Sequence, residues 1–364
     1  MNSDRRQNNT GGPRRTISRR TFTALGAGTI ATGLAGCIGG SSGALSGDGE
    51  TDTGASEDDD EIVVVASFFT FFDFARQIAD GTPVVIENLV PTGLHGHGWE
   101  PDPSIQRAIT DADAFIHVGP DFQPWADRAI ETLEDETKET QLINVREGVE
   151  LIPLADSLDR DEEGVGQERG RDPHFWLDPE RAKQSVENIV EGLASIAPDH
   201  EEAFRENAAA LRSDLETLDA EWQAIVDAAE RDVVFLAAHN AFAYLADRYG
   251  VTIEPLVVNL AANGDVRPAD MRRAQETIAE NDIQHIGAAV FEPIRSARQL
   301  LEQTDVKAYY PVTPYAGTAE SWVERGWGYL DIARNINMPT LRILLGVDDP
   351  ASIDFVDYGR NFEP

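Results

Sequence analysis

Four of the seven histidines sit where a side chain can do chemistry and not only pack. His97 lies in a glycine-rich run, Thr92-Gly93-Leu94-His95-Gly96-His97-Gly98-Trp99-Glu100-Pro101, with His95 two residues ahead of it. His174 is framed by Asp172-Pro173 and by Phe175-Trp176-Leu177-Asp178-Pro179, so two prolines stiffen the segment just before a helix. His239 closes the apolar run Val233-Val234-Phe235-Leu236-Ala237-Ala238 and precedes Asn240-Ala241-Phe242. A neutral imidazole is a nitrogen donor suited to zinc, and to Mn, Fe, Ni or Cu at altered affinity. Three such rings on loops or strand ends could converge on one ion. Their separations of 77 and 65 residues match no local ligand motif, so spacing alone equally allows three loop histidines with unrelated hydrogen bonds. His117 lies inside an apolar strand pattern, His200 at a polar helix boundary and His285 beside Ile283 and Ile286; these three read as structural.

The lone cysteine, Cys37, excludes an internal disulfide and a cysteine-based zinc knuckle. It follows a basic cluster (Arg14, Arg15, Arg19, Arg20) and a short stretch rich in Ala, Gly and Thr that ends in Leu34-Ala35-Gly36-Cys37. Basic, apolar and small-residue sections in that order describe an export signal over residues 1–36, too short in its apolar part to span a bilayer permanently. Ser18-Arg19-Arg20-Thr21-Phe22 resembles a twin-arginine signal, and Leu-Ala-Gly-Cys resembles a lipobox whose cysteine becomes the lipidated N-terminus. The bland alternative is a short N-terminal helix with a chance arginine pair. Residues 37–60, Gly/Ser-rich and acidic, hold almost no large apolar group and are expected to form a flexible tether. One acyl chain gives marginal anchoring, so a stable attachment calls for two.

The net charge of −35 is spread along the chain. Nucleic-acid binding calls for the opposite sign and is not expected. An acidic, hydrated surface stays soluble in concentrated salt, where screening shortens self-repulsion, which reads as adaptation to a saline habitat. An acidic solvated surface in an ordinary organism is the alternative.

The elements that must position the histidines follow from periodicity. Ile62-Val63-Val64-Val65-Ala66 is a continuous apolar run of strand length, as expected for a strand buried on both faces. Helical spacing follows from Phe68 to Ala79, then strands at 84–86, 114–118 and 142–145, with a helix from Pro124 to Leu133. This alternation predicts an α/β lobe over 61–202 with helices on both faces of a mainly parallel sheet. Residues 156–171, charged and glycine-containing, read as a surface loop, and Asp178-Pro179 as a helix start. Phe204, Leu211, Leu215, Leu218, Trp222, Ile225 and Ala229 then lie on one helical face over about 26 residues, or about 40 Å at 1.5 Å per residue. Such a helix, expected over 203–230, is long enough to join two lobes, although an ordinary long core helix fits the same stripe. Strands at 233–238, 253–258, 285–291 and 307–310, with a helix from Pro268 to Ala279, predict a second α/β lobe over 231–364.

With these segments in hand, the chain resembles a known family from about Ile62 to its C-terminus: the substrate-binding proteins of ABC importers for zinc and manganese, whose two lobes are joined by one long helix. The resemblance rests on His-Gly-Trp-Glu-Pro at 97–101, Asp-Pro-His-Phe-Trp-Leu-Asp-Pro at 172–179 and His-Asn-Ala-Phe-Ala-Tyr-Leu at 239–245 followed by Arg248-Tyr249-Gly250. Weaker matches are Ala112-Asp113 with Gly119 and Trp125, Phe291-Glu292-Pro293, and Tyr329-Leu330 with Asn335. It implies that His97, His174 and His239 are metal ligands, with histidine at the third position favouring Zn²⁺ over Mn²⁺. Where the family usually supplies an Asp as fourth ligand, this chain has Thr313 in Pro311-Val312-Thr313-Pro314-Tyr315. Thr is a poor ligand at neutral pH, so Glu292, Glu100, His95 or a water is left to complete the sphere.

The resemblance further implies an exported receptor, anchored through Cys37 at the outer face of the cytoplasmic membrane. It would act as a monomer with no catalytic residues, passing its metal to an ABC permease driven by an ATPase. Two other readings stay open at this point. Three histidines and a water also describe a catalytic zinc site, with Glu100 or Glu292 as general base of a surface hydrolase, although no HExxH pattern supports it. An adhesin could be built on the same scaffold.

Overall fold

Valine and isoleucine fill the first strand, β1 (Ile62–Ala66), because a central parallel strand is covered on both faces and rewards β-branched side chains along its whole length. The computed structural model describes residues 61–94, 99–133, 140–154, 170–258 and 266–352. The expected leader, the tether and Cys37, His95, His97 and most of the acidic loop lie outside them. The base of that loop is described: Pro153 and Arg171 form an antiparallel bridge.

Around β1 run β2 (Val84–Asn88), β3 (Ala114–His117) and β4 (Gln141–Asn144), in the order β2-β1-β3-β4 with every pair parallel. Helices α1 (Phe69–Ile78), α2 (Pro103–Asp111), α3 (Pro124–Leu133) and α4 (Pro179–Ile196) accompany this sheet. Local chemistry sets their starts. Asp102 and Asp178 each accept a hydrogen bond from the backbone N–H two residues on, and each is followed by a proline in the first turn.

The second sheet repeats the same order. Strands β5 (Val233–His239), β6 (Thr252–Val257), β7 (His285–Ala289) and β8 (Ala308–Val312) run β6-β5-β7-β8, again all parallel. Helices α6 (Ala243–Tyr249), α7 (Pro268–Glu280) and α8 (Arg295–Gln303) belong to this lobe, as do α9 (Glu320–Glu324), α10 (Tyr329–Ile332) and α11 (Met338–Leu344). Between α10 and α11 the backbone widens into a π-helical turn over Ala333–Asn337, which sequence spacing did not predict. In each sheet the chain reverses direction of growth between the first and third strands. That reversal opens a crevice at the strand C-termini where α/β sheets take ligands.

Helix α5 (Glu201–Asp227) joins the lobes. It buries Phe204, Ala208, Leu211, Leu215, Leu218, Trp222 and Ile225, close to the expected stripe, and packs on α1 and α4 of the first lobe and α6, α10 and α11 of the second. One apolar cluster runs through both lobes, from Phe71, Phe74 and Trp176 to Tyr315 and Tyr329. Buried hydrogen bonds cross the same junction. Thr70 Oγ1 donates to the Tyr315 carbonyl at 2.9 Å, Trp176 Nε1 to that of Pro314 at 2.7 Å, and the Tyr329 hydroxyl to that of Trp176 at 2.7 Å. Asp73, on α1, accepts from the Tyr329 N–H at 2.8 Å, and a Cβ at Gly328 would lie 2.4 Å from that carboxylate. A larger residue there would have to push the Asp73 carboxylate out of its hydrogen bond with Tyr329.

His117 ends β3 and is buried, its Nδ1 accepting from the Gly119 N–H at 3.3 Å. Burial, with help from Arg146, pushes its imidazole down to about 4. The unfolded chain takes up this proton below about 6.5, the folded one only near 4, so stability present above 6.5 is lost as pH falls through that window. The difference corresponds to about 3 kcal/mol. Denaturant titrations of the metal-free chain between pH 7 and pH 4 are expected to show this loss, and His117→Asn, which keeps an acceptor for Gly119, should flatten it.

Candidate metal centre

His239 is the last residue of β5, at the crevice of the second sheet. Pairing of Leu236 with Gly287 and Ala237 with Ala288 sets β7 beside it, so the segment leaving β7 delivers Glu292 to the imidazole. Glu292 Oε1 lies 2.5 Å from His239 Nδ1, and Oε2 accepts from the His239 backbone N–H at 3.3 Å. His174 comes from the first lobe, ahead of a single 3-10 turn (Phe175–Leu177) that leads into α4. Asp172 Oδ1 accepts from its backbone N–H at 2.8 Å and meets its Nδ1 at 2.9 Å, so one carboxylate oxygen fixes both the turn and the ring.

The two rings face one another with centroids 5.5 Å apart, tilted by 51°. Two imidazoles bound to one tetrahedral ion through bonds of about 2.0–2.1 Å have centroids about 5 Å apart, so the spacing fits a shared metal. Ionised carboxylates only accept, so each Nδ1 carries the proton and in the neutral ring the lone pair is on Nε2. Both histidines are 1% exposed, and both Nε2 atoms are buried. Burial pushes the His174 imidazole down, Asp172 partly offsets this, and His239 adds to it. A ring held neutral in this way is ready to bind a cation without first losing a proton.

The wall behind His174 is aromatic. Trp176 and Phe122 meet it edge-on at 5.4 and 6.4 Å, and Phe68 packs on Trp176 at 4.7 Å. Such a wall keeps water from the rear of the site and strengthens the electrostatic interactions inside it.

The other residues singled out in the sequence fall in different places. Glu292 stands on the Nδ1 side of His239, orienting that ring. Glu100 is exposed and paired with Arg128 at 2.7 Å. Thr313 is fully buried: its N–H donates to Asn337 Oδ1 at 2.9 Å, its carbonyl accepts from Asn337 Nδ2 at 2.8 Å, and its hydroxyl accepts from the Tyr315 N–H at 3.1 Å. That last bond supports Tyr315 in the left-handed region at φ 58°. His95 and His97 lie outside the described residues, and among the described residues no set of three or more His, Cys, Asp or Glu is grouped to hold a metal ion. Sequence reasoning missed the role of Asp172. The signal was its place two residues before His174, where an Asp side chain folds back onto the backbone.

Comparison with known proteins gives the family. The family described as zinc-uptake complex component A, periplasmic (ZnuA), matches residues 64–341, and the chain belongs to it. The zinc-binding lipoprotein AdcA of Streptococcus pneumoniae is 28% identical over 298 residues, 80% of this chain and 58% of the relative, so the chain spans little more than half of that protein's length. The crystal structure of its Zn(II)-bound ZnuA-like domain superposes with a TM-score of 0.64 at 25% identity, covering 78% of this chain and 99% of the domain. The high-affinity zinc uptake system protein ZnuA of Bacillus subtilis is 26% identical over 82% of this chain and 92% of its own. The manganese-binding lipoprotein MntA of Halalkalibacterium halodurans is 29% identical over 65% of this chain and 74% of its own. A family of uptake-complex components is one of receptors, and the hydrolase reading falls away.

Carboxylates that hold the Nδ1 of metal-binding histidines raise ligand basicity and fix aim. Asp172→Asn and Glu292→Gln are each expected to weaken metal binding by about 10–100-fold while leaving the fold intact. Isothermal titration beside circular dichroism checks both halves of that expectation.

Proposed function

We propose that the chain is an extracytoplasmic receptor of an ABC importer that captures one Zn²⁺ at His174, His239 and His97 and passes it to a permease driven by its ATPase. The observation that carries the reading is the pair of buried imidazoles, 5.5 Å apart and each turned by a carboxylate at Nδ1, one from each lobe. Zinc is preferred over Mn²⁺ because an imidazole-rich site suits the softer ion, while manganese favours oxygen ligands. The names of relatives that bind zinc support the preference, and the manganese-binding relative defines the competitor to test. A water or a residue outside the described segments completes the sphere. The metal leaves as pH falls, since protons compete for the same nitrogens.

The test is metal competition among Zn²⁺, Mn²⁺, Fe²⁺, Ni²⁺ and Cu²⁺ on the stripped protein at high salt. One tight Zn²⁺ per chain is expected, lost or severely weakened in each of His97→Ala, His174→Ala and His239→Ala. Binding indifferent to these three substitutions would sink the proposal.

The receptor is held at the outer face of the cytoplasmic membrane by lipid on Cys37, after export directed by Arg19 and Arg20, and works as a monomer on an acidic tether. The lipoprotein names of relatives support the anchor. Among the described residues no helix is long and apolar enough to cross a membrane. Cys37→Ser is expected to move the protein from the detergent phase to the aqueous phase in a partitioning assay; unchanged partitioning would discard the anchor.

A further inference from the structure

The two histidine segments come from different lobes, yet one short helix grips both. Helix α6 begins four residues after His239 and packs on the 3-10 turn that follows His174. Its Tyr244 is fully buried and reaches across the junction. The hydroxyl donates to the Asp172 carbonyl at 2.6 Å and accepts from the Ile152 N–H at 3.0 Å. Asp172 is the residue whose carboxylate aims His174, and its side chain forms no other hydrogen bond among the described residues.

The same helix takes hold of the far end of the segment. Arg248 Nε lies 3.3 Å from Asp178 Oδ1, the cap of α4, while its fork is seated on Asp219 of α5 at 2.5 and 2.7 Å. Arg181 closes the arrangement, pairing with Asp178 and lying 5.0 Å over the Tyr244 ring. Residues 172–178 are therefore pinned at both ends by the helix that leaves the other metal-binding strand.

We propose that Tyr244 and Arg248 are positioning residues for the metal site: α6 acts as a two-point clamp that holds the His174 segment at a fixed distance from His239. Tyr244 acts through Asp172, and Arg248 through Asp178. The clamp makes the two imidazoles one preorganised unit before metal arrives, so removing it costs affinity by loosening the aim of His174. The inference rests on the receptor reading for the identity of the ligands but has a readout that needs no metal.

Two measurements on the full chain test it. In the metal-free protein the His174 N–H, bonded to Asp172, should exchange its hydrogen faster in Tyr244→Phe than in the parent, at a temperature well below melting for both. Zn²⁺ affinity, read by chelator competition, should fall by about tenfold in Tyr244→Phe. The loss combined with Asp172→Asn should be smaller than the product of the two single losses, because both act on one ring. Combined with Glu292→Gln, which acts on the other ring, the losses should multiply. Parent-like exchange or parent-like affinity in Tyr244→Phe overturns the clamp, as does full multiplication with Asp172→Asn. Arg248→Met, which removes the charge beside Asp178, supplies the same two readouts if Tyr244→Phe does not fold. A parent chain that binds no Zn²⁺ removes the receptor reading and with it the site being positioned; faster His174 exchange alongside would still support the mechanical link.

Discussion

A neutral imidazole can serve as a metal ligand only while its lone pair points at the ion, and in this chain the tautomer and aim of two imidazoles rest on two carboxylates, Asp172 buried and Glu292 partly buried. Asp172 and Glu292 take the Nδ1 side of His174 and His239, which leaves Nε2 of each ring as the atom the proposed ligation would use. The setting sharpens the effect. Burial of His174 disfavours its charged form, and the aromatic rings behind it leave little room for water to substitute for the carboxylate. If either carboxylate were moved, its imidazole would lose both its tautomer and its aim.

Holding two such pairs together is a problem for the whole fold, since they belong to different sheets. Each sheet solves its half by the same strand order, which places a crevice at the strand ends and a loop on either side of it. The halves are then bolted by hydrogen bonds that cross the junction from Thr70, Trp176, Tyr244 and Tyr329, and by α5, which packs on both. Buried hydrogen bonds of this kind are costly to break one at a time, because each leaves an unsatisfied group behind. A junction built this way resists wide opening.

Much of this is legible in residue order alone. β1, α3 and the stripe of α5 fall at or within a few residues of where apolar periodicity puts them, because a buried strand and a one-sided helix write their burial directly into residue order. The capping Asp178 with Pro179 announced α4. The π-helical turn at 333–337 was not legible: its last residue, Asn337, bonds the backbone of Thr313, a partner 24 residues away that local spacing does not reveal. Thr313 stands where the resemblance leads one to expect a ligand Asp. The structure shows its polar groups engaged in that turn and in supporting Tyr315.

The sequence by itself determined which histidines could serve, since glycine, proline and strand-end neighbours are local and leave His174 and His239 on segments free of a regular helix or strand interior. It also determined the two-lobe α/β class, through alternating strand and helix patterns on either side of one long amphipathic stripe. Only the tertiary structure decided that Glu292 serves His239 across 53 residues, that Glu100 faces solvent with Arg128, and that α6 of one lobe grips the His174 segment of the other. Those outcomes depend on strand order and inter-lobe packing. Local periodicity carries the burial of each element but no record of which buried face meets which.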